Sequence, residues 1–287
     1  MPAPTALSPA VVPFRLENMR ILFIGGGNMA TALIGGLLQK GFKPGDLRVV
    51  DVSEEARQRL QQQFGVSAIP AIDGEIAEDT VLLAVKPQQM PAVVKDLRAF
   101  LRGQLLISIA AGIRTADMER WLGGHERIVR VMPNTPALIR AGVSGLFASA
   151  VVKQADRDSA QDILGAVGGV VWVWNESDID VVTAISGSGP AYIFYFIEAL
   201  EQAAVELGLS GAQAHELVVQ TFVGAAQLAA GSEEPAAELR ARVTSKAGTT
   251  EAALKTMEAN DVKRKIVQAV RAAAKRSSEL GDEFGKE

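Results

Sequence analysis

A chain of 287 residues is longer than one typical domain, and its ordinary globular composition leads to an expectation of two domains. A formal net charge of only −4 argues against nucleic acid or an anionic membrane surface as a partner. The absence of cysteine excludes disulfides, thiolate metal sites and a Cys nucleophile, and the only two histidines, His125 and His215, read as surface residues in polar settings.

The chain opens with "MPAPTALSPAVVPFRLEN", which is Pro-rich and lacks the basic start and long apolar core of a signal peptide. Residues 1–18 therefore read as a flexible tail, and the expected location is cytoplasmic. From residue 20 to 174, short apolar runs alternate with amphipathic stretches. Strands are predicted at residues 20–25, 47–51, 81–85, 105–110, 127–132, 142–148 and 170–174, and helices at 28–40, 53–64, 88–101 and 155–166. The early strands are almost wholly apolar, as parallel strands covered on both faces must be. The alternation implies a parallel sheet with helices on both sides.

After Asn175 the strand signal stops, and residues 178–207, 210–230, 235–243, 249–259 and 261–280 read as helices. The longest uncharged run, residues 181–197, falls just short of membrane-spanning length and contains "SGSGP", so a buried helix with a break or kink at residues 186–190 is expected. The segment "AYIFYFIEALEQAAVELG" is apolar on more than one face, more than one small helical domain can cover, which calls for helices of a second subunit.

The stretch "RILFIGGGNMATALIGGLL" reads as strand, turn and helix, and Gly25, Gly27 and Ala30 fit the G-x-G-x-x-A pattern. The first Gly permits a tight turn, the second lets a pyrophosphate approach the backbone, and the small third residue lets helix and strand pack closely. The helix start, with Asn28 and Met29, then turns free N–H groups and a favourable dipole toward the phosphates. Asp51 ends the second strand, where an acid often binds the adenosine ribose. The lesser alternative is an N-cap for the following helix, and Arg57 or Arg48 could offset the acid and admit a 2′-phosphate. The next two strand ends, "AVKPQ" with Ala84, Val85, Lys86 and Pro87, and "SIAAG" with Ala110 and Ala111, are expected to border the nicotinamide. Lys86 stands open as a base, a phosphate contact or an exposed loop residue. "MPNTP", residues 132–136, suggests a rigid loop.

"VTSKAGTTEAAL" places hydroxyls and small residues just ahead of a helix, and on spacing alone Ser245 or Thr249 reads as an N-cap. Taken together and in order, "FIGGGNMA", "AVKPQ", "SIAAG", "RVMPNTPALI", "ISGSGPAYIFYFIEAL" and "VTSKAGTT" resemble pyrroline-5-carboxylate reductase over nearly the whole chain apart from the tail. The resemblance implies a Rossmann-type doubly wound sheet over residues 19–176, binding NADPH or NADH, and an all-α C-terminal dimerisation and substrate domain over 177–287. It also implies an interlocked homodimer, often assembled into rings of dimers, and reduction of a cyclic imine to proline. By matching motif positions it implies a substrate loop of Ser245, Gly248, Thr249 and Thr250, with Glu233 at a polar substrate-site position.

In that reading Ser245 and the N–H groups near Gly248 and Thr249 hold a carboxylate, and Thr250 bonds to the ring nitrogen. No metal is required. The loop departs from the family's common Ser-Pro-Gly-Gly: Lys246 keeps an N–H that Pro lacks, and Ala247 disfavours positive φ, so a different loop geometry is expected there. Arg242 stands where Asn is frequent. The rival readings are another NAD(P)-dependent imine or 3-hydroxyacid reductase, which needs a general acid–base that the helical half does not offer, and a non-catalytic dinucleotide-sensing dimer.

Overall fold

A computed structural model describes residues 19–286; the tail expected at residues 1–18 lies outside them. Strand β1, Ile21–Ile24, is buried at every position, because its alternate side chains enter two different cores. Ile21 and Phe23 join one buried cluster with Leu33, Ile34 and Leu37 of helix α1, Asn28–Gln39. Leu22 and Ile24 join a second cluster with Met90, Val94 and Leu97 of helix α3, Met90–Leu97. Period-two alternation in a strand with no polar face is the signature of a sheet covered on both sides.

Around β1 the sheet continues with β2 (Leu47–Val50), β3 (Ser67–Ile69), β4 (Thr80–Leu83), β5 (Leu105–Ser108), β6 (Ile128–Met132), β7 (Gly142–Ala148) and β8 (Gly168–Trp172). Their spatial order is β3-β2-β1-β4-β5-β6-β7-β8. The first six strands in this order are parallel. Helices α2 (Glu54–Phe64), α4 (Thr115–Trp121) and α5 (Gln154–Gly165) complete the crossovers together with α1 and α3. The order reverses between β1 and β4, which opens a crevice beyond their carboxyl ends.

An all-parallel sheet does not form. β7 runs antiparallel to β6, with Val129 opposite Ala148 and Met132 opposite Gly145, and β8 runs parallel to β7. The reason is local: only a short 3-10 turn, Thr135–Ile139, joins β6 to β7, too little chain for a parallel crossover. Asn134 of "MPNTP" anchors this return, its Oδ1 accepting the Val143 N–H at 2.8 Å.

The chain divides into two compact units. One runs to Thr183 and takes back the end of the chain from Ser277; the other is Ala184–Arg276. In the first, α6 (Asp178–Val182) follows the sheet, and the end of α11 (Val262–Phe284) packs beside α4. A buried polar network marks this junction. Arg130, 3% exposed, reaches Glu176 at 3.1 Å, and the Glu176 carboxylate accepts both the N–H and the hydroxyl of Thr115 at 2.7 Å. Ser277 Oγ donates to Asp180 at 2.7 Å.

The second unit holds α7 (Gly189–Glu206), α8 (Gly211–Ala230), α9 (Ala236–Arg242), α10 (Thr249–Ala259) and the first part of α11. The expected break in the long helical run is present: a π-helical turn, Thr183–Gly187, separates α6 from α7. Helices α7, α9 and α10 bury no residue, and α8 buries only Ala214 and Val218. Phe194, Tyr195, Leu217 and Leu228 are all more than half exposed in the single chain.

Candidate active site

The Gly-rich turn is shaped by its neighbours. Gly25 adopts φ +100, and a Cβ there would lie 2.7 Å from the Ala84 carbonyl oxygen, so no other residue fits. Gly26 is claimed on both sides of its backbone: its N–H donates to Asp51 Oδ2 at 2.6 Å and its carbonyl accepts from Arg59 at 2.9 Å. Gly27 faces open space, with nothing within 4 Å of where a Cβ would sit. It starts α1 without any side-chain cap, which leaves the first-turn N–H groups of Asn28, Met29 and Ala30 for a ligand. Ala30 itself is buried between helix and sheet.

Asp51 is not the helix cap. Ser53 is, its Oγ accepting the Ala56 N–H at 3.3 Å. The Asp51 carboxylate instead spans the Gly26 and Ser53 N–H groups, the latter at 2.8 Å. Of the two arginines considered beside it, Arg48 is committed to ion pairs with Asp73 and Glu78. Arg57 donates to the carbonyls of Asp51 and Val52 at 2.7 and 3.0 Å, at the rim where the adenosine ribose binds in such folds.

A cleft of about 440 Å³ opens beyond these strand ends. Gly25, Gly27, Asp51, Ala84, Val85 and Lys86 all line it. So do Ile72, Val93, Leu97 and Phe100, an apolar slot absent from the sequence expectations; its signal was the run of apolar residues on α3 and after β3. An open glycine, an uncapped helix start, a carboxylate-braced turn and an apolar slot together fit the pyrophosphate and adenine of a dinucleotide. Lys86 is exposed, and Pro87 begins the 3-10 turn that follows it. Ala110 is buried and Ala111 half-buried after β5.

In the second unit, Ser245, Gly248, Thr249 and Thr250 come together at the start of α10. Neither Ser245 nor Thr249 is the cap: Gly248 occupies that position without a side-chain hydrogen bond, leaving the helix dipole and N–H groups open. A Cβ at Gly248 would overlap Ser245 Oγ, so a side chain there fits only if the Ser245 hydroxyl turns away. Ala247 takes φ +58, so the positive-φ turn persists despite the alanine. Glu251 holds it, its carboxylate accepting the Ala247 N–H at 2.8 Å. Glu233 lies exposed in the separate turn between α8 and α9, next to Glu234, which pairs with Arg242 at 2.5 Å.

The histidines divide. His215 is exposed and pairs with Glu201 at 2.8 Å, as a surface residue does. His125 is not a plain surface residue: its Nε2 is buried without a partner, and burial pushes its pKa below the ordinary imidazole value. Both lie away from the cleft and the hydroxyl loop in sequence and element.

A family profile described as "Pyrroline-5-carboxylate reductase dimerisation" matches residues 176–280, and one described as "NADP oxidoreductase coenzyme F420-dependent" matches residues 20–112. The chain is 47% identical over 273 residues to a pyrroline-5-carboxylate reductase of Pseudomonas aeruginosa, covering 94% of this chain and all (100%) of that one. A solved pyrroline-5-carboxylate reductase from Coxiella burnetii is 42% identical with a TM-score of 0.88, covering 92% of this chain and 99% of that one. The Plasmodium falciparum pyrroline carboxylate reductase, solved with NADP bound, is 31% identical with a TM-score of 0.81 over 92% of this chain and 99% of that one. With a braced dinucleotide turn in one unit and an uncapped hydroxyl loop in the other, the chain belongs to the pyrroline-5-carboxylate reductase family.

Proposed function

We propose that Ser245, Gly248, Thr249 and Thr250 hold L-1-pyrroline-5-carboxylate while it is reduced to L-proline, the final step of proline biosynthesis, with NADPH or NADH bound at the Gly25–Ala30 turn. The observation that carries this reading is the start of α10, where three hydroxyls and unclaimed N–H groups meet at a helix N-terminus without a side-chain cap. Such a cluster suits a carboxylate, which needs several donors and gains from the helix dipole.

The bound dinucleotide supplies hydride to the imine carbon. The protein's share is placement and hydrogen bonding. Ser245 Oγ and the N–H groups at Thr249 and Thr250 grip the carboxylate, in place of the expected Gly248 N–H, which donates to the Ser245 carbonyl at 3.1 Å, and the Thr250 hydroxyl bonds to the ring nitrogen. Cyclic imines of this kind are partly protonated near neutral pH, so the loop needs no strong acid. Gly25, Gly27, Asn28, Met29 and Ala30 take the pyrophosphate, Asp51 braces the turn and reaches the ribose edge, and Ala84 to Pro87 with Ala110 and Ala111 border the nicotinamide. Glu233 contributes a polar contact to the substrate. In functional terms residues 19–176 bind dinucleotide and 177–287 serve substrate and dimerisation.

The protein is a homo-oligomer acting on a small molecule, and its helical half is built to pair with a second copy, which the exposed apolar faces of α7 and α8 support. We place it as a homodimer, assembled further into a ring of dimers, in the cytoplasm; among the described residues no helix is long and apolar enough to cross a membrane.

The test is loss of NADPH and NADH absorbance with purified protein and racemic pyrroline-5-carboxylate, with proline sought as product. Oxidation with proline formed is expected. Dinucleotide binding without turnover would overturn the catalytic reading in favour of a sensing role.

A further inference from the structure

The end of α11 returns to the first unit and seats itself on the loop between β5 and α4. That loop, "SIAAGIR", turns at Gly112, which has φ +75. The Phe284 ring covers this turn so closely that a Cβ on Gly112 would lie 3.1 and 3.2 Å from its edge. Phe284 also packs on the buried cluster that contains Ala110 and Ile113.

Polar contacts fix the same helix end. Arg114 donates to the Ser278 carbonyl at 3.2 Å and pairs with Asp282 at 2.7 Å, while Arg120 donates to the Gly285 carbonyl at 2.7 Å. Gly281 is buried under Arg114, and a Cβ there would lie 2.9 Å from the guanidinium. Three separate groups on the loop and on α4 are therefore committed to one short stretch at the C-terminus.

The ends of the loop are held elsewhere, by the burial of Ala110 and Ile113 and by Glu176 on Thr115, so the helix end bears chiefly on its middle, at Gly112. The Ile109 N–H bonds to the Leu83 carbonyl at 3.1 Å and the Ala110 N–H reaches Ser108 Oγ at 3.4 Å, while Ala111 stays partly exposed at the carboxyl edge of the sheet. A glycine at positive φ has a wide choice of conformations, so its geometry is set by what packs against it. The Phe284 ring supplies the nearest of that packing, with Leu280 beside it.

We propose that Phe284 is a positioning residue for the nicotinamide half of the bound dinucleotide, acting through Gly112 and the Ala110–Ala111 edge. The inference rests on the dinucleotide reading above. It separates the two ends of the ligand: the adenine half sits at the Gly25, Asp51 and Phe100 cleft, which Phe284 does not line.

The test uses the full-length protein and two ligands: whichever of NADPH and NADH the wild type binds more tightly, and its adenine half alone (ADP or its 2′-phosphate). For Phe284→Ala, dinucleotide binding is expected to weaken about fivefold or more while the adenine-half ligand stays within about twofold, and Phe284→Leu is expected to recover most of the loss. Equal weakening of both ligands would mean a general loss of fold and would overturn the proposal, as would unchanged binding of both. Should the wild type bind neither ligand, the dinucleotide site itself is wrong and the proposal falls with it.

Discussion

Asp51 accepts the Gly26 N–H at 2.6 Å, so the carboxylate at the end of β2 is bolted to the backbone of the glycine turn. Its other oxygen takes the Ser53 N–H, and the two bonds tie β2, the turn and the start of α2 together. Asp51→Ala should therefore lower kcat/KM with NADH and with NADPH alike, each by about tenfold or more, since a charge-assisted bond to a half-buried N–H is worth about 1.5–3 kcal/mol. A loss confined to NADH would mean that Asp51 serves only as a ribose acceptor. Steady-state kinetics with both dinucleotides decides it.

Thr250 sits in the first turn of α10 with its hydroxyl in the cluster assigned to the imine. Thr250→Ala should reduce kcat/KM for the imine by about 10- to 100-fold, the range for loss of one hydrogen bond formed in the transition state, and leave dinucleotide binding unchanged. Thr250→Ser, which keeps the hydroxyl, should restore most of the rate. Full activity in the alanine variant would remove Thr250 from the mechanism.

Adjacent positions in the loop should respond in opposite ways. Ala247 holds φ +58, a conformation that costs an L-residue about 1 kcal/mol, so Ala247→Gly should be neutral or slightly stabilising with activity retained. Gly248→Ala drives a methyl group against Ser245 Oγ, which must rotate away, and should lower kcat/KM by about tenfold or more through loss of that hydroxyl from the carboxylate site. Thermal melts beside imine kinetics on the pair would show it; a fully active Gly248→Ala enzyme would mean that the Ser245 hydroxyl does not hold the carboxylate.

The Arg127–Asp156 pair supplies a pH dependence. Arg127 donates from Nε at 2.8 Å and from Nη2 at 2.5 Å to the two carboxylate oxygens, and this hydrogen bonding holds the Asp156 pKa below its ordinary value. A depressed carboxylate contributes stability above its unfolded pKa and loses it as pH falls through the folded one. Asp156→Asn should cost about 1–2 kcal/mol at neutral pH, between the exposed and the buried limits, because Arg127 is partly solvated. The gap between wild type and variant should close as the solution is taken below about pH 4. Denaturant melts at neutral and acid pH would measure it, and a gap that persists in acid would assign the cost to packing.

The parts of the fold with a strong period were legible from residues alone. Strands β1, β4 and β5 read as nearly unbroken apolar runs because both faces of the sheet are covered, and β2 and β6 are interrupted only by Arg48 and Arg130. Strand β3 is three residues long and α4 only seven, too short for a period to declare itself. The reversed direction of β7 was hidden because alternation carries no polarity; it follows from the length of the link before it. Within the candidate site, the glycine turn and the hydroxyl loop stand out by their residues, but their contacts do not. Nothing in the sequence tells that Asp51 binds Gly26, that Glu251 holds Ala247, or that a phenylalanine near the C-terminus packs on Gly112. These are contacts across chain separations that only folding closes.

Helices α7, α9 and α10 bury no residue within one chain, so the proposed substrate loop would owe its shape to the assembly. The free energy that keeps the loop in shape depends on the chemical potential of a second copy. Dilution alone should then inactivate the enzyme without any denaturant, and its melting temperature should climb with protein concentration, as it does wherever folding and association share one equilibrium.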